Sequence, residues 1–413
     1  MCGIGLVVGN DSNIRSDFAE IISNNQKKRG PDYSSIKSFN GFTVCHQRLS
    51  IVGLDKKFNQ PYLNQNLVLL FNGEIYNFRE IANDYNLTKN ASKSDTACLA
   101  ELISRIGFNN SIKIIDGMYS ICVIDKISQS INICVDDFGI KQLYFANINN
   151  NLIVASTFCP LLEILKKSNH KITLDNKTQR WKSSFHGLPP EHTHIEEIKQ
   201  LSQKYIYKIK LDGNKMSRRL KDKYFYYKNK QTNFIKDLEE AANSDVNASL
   251  LLSGGIDSTS LLCSSTPFKN SIDCITIDNS IKKDSGFSQD ESKNAISNAS
   301  YLGFKIDSIK INKVDLFSIK KIFSIIDVPA EITGAIPLYF ICKNIRNKRS
   351  DIKYLISGLG ADEIFFGYRG HRLSSLLSFV PRYLLVGLVR LLDLFYKSIK
   401  NKGLRRRYNF AKY

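Results

Sequence analysis

The sequence predicts an α/β chain in two parts: a layered α/β domain over residues 1–210 and a parallel-sheet α/β domain over 236–413, with a linker at 211–235. Three observations predict it. Apolar runs of strand length recur through the first half, several apolar on both faces, as in strands covered by other layers. In the second half such runs alternate with helix-length segments, which is the pattern of a parallel sheet. Between them, residues 215–233 are charged and tyrosine-rich and carry no helical period, as expected of a boundary. A length of 413 residues, 43% hydrophobic and 23% charged, suits two globular domains.

The chain opens Met1-Cys2-Gly3-Ile4, and the apolar run Ile4–Val8 reads as a buried strand. A strand here fixes the terminus inside the fold. A small second residue lets the initiator methionine be removed, which would leave Cys2 with a thiol and a free α-amine on one carbon. The thiolate is a strong nucleophile. An α-amine, with an ordinary pKa of about 7.7–8.0, can take the thiol proton and return it to a leaving amine.

Strands are expected at Phe42–Arg48, Leu67–Phe71, Met118–Ile124 and Ile131–Val135, and helices near Ser16–Gln26 and Asp95–Ile106, the latter capped by Ser94 or Asp95. Four stretches carry more polar groups than a fold requires. Arg29-Gly30-Pro31-Asp32 is a turn. Arg48-Leu49-Ser50-Ile51 ends a strand on a guanidinium, whose fork suits a carboxylate ligand. In Asn72-Gly73-Glu74-Ile75-Tyr76-Asn77, an Asn side chain beside a Gly N–H can make a two-donor oxyanion hole. Ser94-Asp95 supplies another carboxylate. With Cys2-Gly3-Ile4, these stretches resemble class II glutamine amidotransferase domains in order and spacing, over about residues 1–210. The resemblance implies an N-terminal-nucleophile hydrolase fold, an αββα sandwich. It implies that Cys2 attacks the glutamine side-chain amide and that Asn72 and Gly73 hold the oxyanion. It also implies that Arg48 binds the substrate α-carboxylate while Glu74 and Asp95 hold its α-ammonium. Lys28 stands where that family often has His, and Val135 where an Arg commonly precedes the Asp136-Asp137-Phe138-Gly139 turn.

After a turn at Leu211-Asp212-Gly213-Asn214, the second half begins with the apolar strand Ser249–Leu252. It runs into Ser253-Gly254-Gly255-Ile256-Asp257-Ser258-Thr259 and a helix. Strand, glycine-rich turn and helix point backbone N–H groups at an anion. The Gly-Lys-Ser/Thr ending of a Walker A loop is missing. Alternation continues through a strand at Ile272–Ile277, a helix at Asp290–Leu302, a strand at Phe304–Ile309, helices at Val314–Ile326 and Ile336–Arg346, and a strand at Lys353–Ile356. A second glycine turn, Ser357-Gly358-Leu359-Gly360-Ala361-Asp362-Glu363, follows. Both turns fall at the carboxyl ends of strands, where such sheets bind ligands. Asp257 and Asp362 could share a phosphate-bound Mg²⁺ there.

These two turns, with Asp290-Glu291 and Ile336-Pro337-Leu338-Tyr339, resemble the ATP-pyrophosphatase part of asparagine synthetases, which has an adenine-nucleotide α-hydrolase-like sheet. The two halves together resemble the glutamine-hydrolysing asparagine synthetase family. The resemblance implies ATP binding at Leu252, Ser253, Gly254, Gly255, Asp257, Ser258, Ser357 and Gly358, with metal at Asp257 and Asp362. It implies adenylation of aspartate and amidation by ammonia from glutamine. Leu359 stands at a position acidic in many members, and Phe366 at a usual glycine. An amidotransferase for another carboxylate, such as a sugar acid, and a glutaminase with a remnant synthetase half are the competing readings. The chain ends about fifty residues after the second turn, where members continue. The expectation is therefore glutamine hydrolysis with little amide product.

Of the net charge of +19, residues 381–413 hold nine Lys/Arg and one Asp. Elsewhere the excess is a general Lys-rich bias without the motifs of an RNA-binding module, so no specific nucleic-acid partner is expected. Leu384, Leu385, Leu388, Leu391, Leu392 and Phe395 follow helical spacing, giving an amphipathic helix too interrupted to span a membrane. Its apolar face has three options: packing on its own domain, a partner chain that completes the domain, or an anionic membrane surface; a homodimer is a further partner expectation. Nine scattered cysteines without a CxxC pair, and no signal peptide before Cys2, point to a reducing, cytoplasmic setting with neither disulfides nor structural zinc.

Overall fold

The apolar run behind Cys2 forms β1 (Gly3–Val8), with all six residues buried. The structure, a computed structural model, describes residues 1–64, 66–184, 188–211, 216–221, 245–266, 272–278, 292–311, 315–327, 334–349 and 351–368, plus positions 235, 375, 378–381 and 384. After β1 come α1 (Ser12–Gln26), β2 (Tyr33–Phe39), β3 (Phe42–Arg48), β4 (Tyr62–Asn64) and β5 (Leu67–Ile75). Then follow α2 (Phe78–Asp84), α3 (Asp95–Ile106), α4 (Phe108–Ile114), β6 (Gly117–Asp125), β7 (Ser130–Val135), β8 (Tyr144–Ile148) and β9 (Asn151–Ala155). The first half closes with α5 (Cys159–Lys167), α6 (Asn176–Ser184), β10 (Lys199–Gln200), β11 (Tyr205–Lys210) and β12 (Met216–Leu220).

These strands build two six-stranded sheets, ordered β10-β8-β9-β1-β3-β2 and β12-β11-β7-β6-β5-β4. One apolar cluster, including Ile4, Leu6, Val44, Leu70, Ile124 and Ile133, fills the space between the sheets. A second packs α3 and α4 on the outside of one sheet through Leu99, Leu102 and Ile112. A third packs α1 and α5 on the outside of the other through Ile22, Leu161 and Ile164. The layers are therefore αββα, as expected. Strands apolar on both faces follow from a sheet covered twice, and each Leu or Ile fully buried this way contributes about 1.5–3 kcal/mol.

Three elements differ from the sequence reading. β5 does not stop at Phe71 but runs on to Ile75, pairing Asn72 with Ser120 and Gly73 with Tyr119 on β6. A Cβ on Gly73 would lie 2.0 Å from the Met118 carbonyl oxygen, so only glycine lets the strands approach there. α1 starts earlier, at Ser12, because Asp11 accepts from the Asn13 and Ile14 N–H groups as its N-cap. β12 pairs with β11, so the sheet takes in residues assigned to the linker. Its sequence is MSRRL and it is exposed along most of its length, which hides a strand from a hydrophobic reading while suiting a charged sheet edge.

In the second half, β13 (Asn247–Leu251), α7 (Ile256–Ser264), β14 (Ile272–Asp278), α8 (Ser292–Leu302), β15 (Ile306–Lys310), α9 (Leu316–Phe323), α10 (Ala335–Lys348), β16 (Ile352–Ile356) and α11 (Ala361–Phe365) follow. The strands form a parallel sheet ordered β15-β14-β13-β16. α9 is shorter than the expected 314–326 because Asp315 caps it, its side chain accepting from the Ser318 N–H. Asp290-Glu291 and the expected helix around 384–395 lie outside the described residues, apart from position 384. No helix among the described residues is long and apolar enough to cross a membrane. All nine cysteines are free.

Phe366, at the usual glycine position, ends α11 in the left-handed region with φ 58° and ψ 40°, its side chain largely exposed. A non-glycine residue there carries about 1–2 kcal/mol of backbone strain. Phe366→Gly should therefore gain roughly 1 kcal/mol of stability, which urea unfolding would register as a higher midpoint with unchanged slope. A lower midpoint would show that the phenylalanine side chain contributes more than its backbone costs.

Candidate active site

Cys2 is one residue ahead of a central strand. β1 lies between β3 and β9, with Gly3 opposite Gln47 and Gly5 opposite Ala155, and the Ile4 N–H donates to Ser156 Oγ at 3.0 Å. The Leu49 N–H, just past the end of β3, donates to Cys2 Sγ at 3.3 Å. Arg29 Nε donates to the Cys2 carbonyl at 3.0 Å. Gly30 permits this turn, since a Cβ there would sit 2.3 Å from the Gln47 backbone.

Cys2 opens into a cavity of about 800 Å³ that also holds Arg48, Asn72, Gly73, Glu74 and Asp95. All six residues expected in the glutamine site therefore converge. Arg48 is buried at the end of β3, and its guanidinium donates to Asn59 Oδ1 at 2.6 Å and to the Gly53 and Asp55 carbonyls. This clamps its plane and shapes the 53–59 loop. Asp95, at the start of α3, accepts from its own helix at Thr96 N (2.7 Å) and from Ile75 N on β5 (3.4 Å). Ser94 caps that helix by accepting from Ala97 N.

The buried Asn72 amide donates from Nδ2 to Ser120 Oγ at 3.5 Å, and its Oδ1 has no partner among the described residues. Turning the amide over would let Ser120 donate to Oδ1 and leave the NH₂ free for an anion.

The charges in this cavity are perturbed in one sense. Burial, reinforced by Asp95, pushes the Glu74 carboxyl up to about 8, against the pull of Lys141 and Arg79. Burial also raises Asp95 to about 6, opposed by the Thr96 and Ile75 N–H groups and by Arg48. Burial raises the Cys2 thiol, while the Leu49 N–H, the chain's α-amine and Arg48 oppose it. The α-amine, on Met1 in this chain, is lowered to about 6 by burial, with Lys141 and Arg29 adding to the effect. The unliganded cavity thus holds carboxyls short of a cation and an amine ready to accept a proton.

Sequence reasoning missed two sets of residues. Lys141 is buried in the cavity at the end of the Asp136-Asp137-Phe138-Gly139 turn. Asp136 organises that turn by accepting from the Phe138, Ile140 and Lys141 N–H groups at 2.9–3.1 Å. The turn was the only available signal. The far wall belongs to the second half of the chain: Cys342, Ile345 and Arg346 on α10, and Ile352–Leu355 on β16. Nothing in the sequence pattern announces a wall supplied from some 270 residues away.

The second cavity, of about 410 Å³, lies at the carboxyl ends of β13, β14 and β16. Leu252, Ser253, Asp257, Ser258, Ser357, Gly358 and Asp362 line it together. Gly254 and Gly255 lie in the same turn without lining the cavity. Ser258 Oγ donates to the Gly255 carbonyl and accepts from Ser253 N, both at 3.2 Å, tying the first turn to α7. Gly358 leaves room: a Cβ there would touch the Asp257 side chain and the Ser258 N–H at 3.2 Å. Gly367 is likewise packed on Asp362, where a Cβ would fall 1.8 Å from its Oδ1. Asp257 and Asp362 both line this cavity, and a pair of carboxylates fits Mg²⁺, which takes few protein ligands beside phosphate oxygens. Among the described residues no group of three or more His, Cys, Asp and Glu side chains could hold a metal unaided. α10 borders both cavities, with Ile341 in this one and Cys342 in the first.

A family model described as "Glutamine amidotransferase domain" matches residues 1–225, and one described as "Asparagine synthase" matches residues 234–411. The chain belongs to the glutamine-hydrolysing asparagine synthetase family. Among its relatives, asparagine synthetase [glutamine-hydrolyzing] 1 of Bacillus subtilis is 27% identical over 360 residues, 83% of this chain and 54% of the relative. A relative from Methanocaldococcus jannaschii is 23% identical, over 94% of this chain and 80% of its own. The Brassica oleracea asparagine synthetase [glutamine-hydrolyzing] is 33% identical over 162 residues, 38% of this chain and 27% of the relative. The chain thus spans about half the length of the Bacillus relative.

The raised Glu74 pKa makes this family member's stability depend on pH. The unfolded carboxyl ionises near 4.5 and the folded one near 8, so between them the native state binds the extra proton. The contribution is whole below 4.5 and is lost as pH rises through 8. Thermal unfolding of wild type and Glu74→Gln should therefore agree at pH 4.5, with the variant gaining steadily up to pH 8.5. A constant difference across that range would contradict the shift.

Proposed function

We propose that the chain hydrolyses glutamine at Cys2 and uses ATP at the second cavity to activate a carboxylate, with aspartate as the first candidate, for amidation. The convergence of Cys2, Arg48, Asn72, Gly73, Glu74 and Asp95 in one cavity carries this reading. Glutamine is a zwitterion with a neutral amide, and the cavity offers one clamped guanidinium, two carboxyls and a nucleophile. The α-ammonium would supply the cation that Glu74 and Asp95 lack, so Glu74 would release its proton as substrate binds.

In this reading Met1 is removed and the Cys2 α-amine takes the thiol proton. The thiolate attacks the amide carbon, and the oxyanion is held by Asn72 and Gly73. The amine then returns the proton to the leaving nitrogen, which departs as ammonia, and water hydrolyses the thioester to glutamate. At the second cavity the acceptor carboxylate attacks the α-phosphorus of ATP and pyrophosphate leaves. The N–H groups at the start of α7 and the Ser253 and Ser357 turns would cradle the phosphates. Asp257 and Asp362 would hold Mg²⁺, which neutralises phosphate charge when bound. Ammonia then displaces AMP from the activated carboxylate to give the amide. α10, which borders both cavities, offers the short way between them.

Leu359 favours a second acceptor. It stands at the rim of the second cavity, largely exposed, at a position where the resemblance implies an acidic residue, and losing that charge supports a carboxylate other than aspartate, such as a sugar acid. Measuring pyrophosphate release from ATP with glutamine and a panel of carboxylates, aspartate included, tests both readings.

Cys2→Ala should abolish glutamine hydrolysis while sparing ammonia-driven amide formation. Normal hydrolysis by that variant would remove the thiol from the mechanism. Asp257→Asn should show the reverse pattern, losing pyrophosphate release but keeping glutaminase activity. Unchanged ATP consumption would rule out its role at the phosphates.

A further inference from the structure

The second half of the chain bonds the Arg29-Gly30-Pro31-Asp32 turn at its Asp32 end and makes a second contact with the first half near its Arg29 end. At one end, Asp327, just beyond α9, reaches the first half. Its carboxylate accepts from the Phe158 N–H and from the Cys159 N–H at 2.9 Å, at the start of α5, and its carbonyl accepts from Cys159 Sγ at 3.3 Å. Arg29 is largely buried, which lowers its pKa, and the Asp327 carboxylate is the largest of the charges opposing that shift. At the other end, Lys353 Nζ on β16 donates to Asp32 Oδ2 at 2.9 Å.

Arg29 contacts Cys2 directly, and Asp32 acts on it through the Ser50–Leu49 backbone. Arg29 Nε holds the Cys2 carbonyl at 3.0 Å. Asp32 Oδ2 also accepts from the Ser50 N–H at 2.8 Å, and Ser50 adjoins Leu49, whose N–H donates to Cys2 Sγ. Lys353 is therefore linked through Asp32 and Ser50 to the residue whose N–H touches Cys2 Sγ. The salt bridge from Lys353 is only partly exposed, and Asp327 has both carboxylate oxygens occupied, so neither is a loose surface pair.

We propose that the ATP-binding half sets the glutaminase nucleophile through a clasp of two contacts, Lys353 on Asp32 of the Arg29–Asp32 turn and Asp327 on the start of α5, with Asp327 and Lys353 as positioning residues. The proposal rests on Cys2 being the glutaminase nucleophile. It makes the thiol's hydrogen bond and the orientation of its carbonyl depend on where α9 and β16 stand. A change at the ATP cavity that moves β16, whose end leads into Ser357-Gly358, is then felt at Cys2.

The test uses the full 413-residue chain. Asp327→Ala, Lys353→Met, their combination and Lys353→Arg are compared for glutaminase kcat and KM, and for the pH midpoint of Cys2 alkylation by iodoacetamide. Asp327→Ala and Lys353→Met should each lower kcat about tenfold, and Asp327→Ala, whose side chain does not line the cavity, should keep KM within about twofold. The alkylation midpoint should move up, because the Leu49 N–H that favours the thiolate is displaced. Lys353→Arg should restore both. Arg349→Ala breaks an ion cluster with Asp273, Asp307 and Asp351 inside the second half and should leave both readouts at wild type.

Wild-type kcat and midpoint in the double variant would overturn the clasp. So would an equal fall in Arg349→Ala, which would mean that any loosening of the second half suffices. If wild type does not hydrolyse glutamine, that reading fails by itself, and the alkylation midpoints alone decide whether the clasp sets the thiol.

Discussion

Everything at the first cavity depends on the pairing of β1 with β3 and β9. A chain end ordinarily frays, because its last residues bury little and share few hydrogen bonds. Here six consecutive residues are buried in the middle of a sheet, and the partner strand β3 ends at Arg48, so the Leu49 N–H arrives beside the Cys2 sulfur. The same ladder therefore places the Cys2 thiol, its hydrogen-bond donor and the Arg48 guanidinium that shares its cavity.

The cavity's carboxyls show how a site can be built ahead of its ligand. Glu74 is buried beside Asp95, and neither has a full-charge partner that offsets its desolvation. A site left in that condition is destabilising on its own terms and selective for a cation. Arg48 is treated in the opposite way: three oxygen acceptors fix its plane before any carboxylate arrives. The contrast follows from shape. A guanidinium must be oriented to meet a carboxylate with both of its N–H rows, whereas an ammonium is compact and needs only negative charge nearby.

Much of this was legible in the sequence because the relevant signals are local. Buried strands announce themselves as apolar runs, and turns such as Ser253-Gly254-Gly255 and Arg29-Gly30-Pro31-Asp32 carry residue types with few alternative uses. The layered α/β character and the parallel sheet were read correctly for that reason, while the αββα order came from the resemblance that the polar stretches carry. β12 was lost because an edge strand rich in arginine has no apolar face, and the extension of β5 was lost because Asn72-Gly73-Glu74 looks like a turn until β6 pairs with it. Asp327, Lys353 and Arg346 were invisible for a different reason. Each matters only through a contact with residues more than 160 positions away, and no spacing rule reaches that far.

The placement of α10 against both cavities has a consequence for how such a chain can change over time. Neighbouring residues on one helix, Ile341 and Cys342, face different chemistries, so a substitution that reshapes one cavity shifts the backbone that walls the other. The two halves therefore cannot be exchanged with those of a distant relative as independent modules. A graft that kept each domain's own residues but altered α10 would leave the first cavity open on one side, so recombination would favour moving this helix and β16 together with the half they cover.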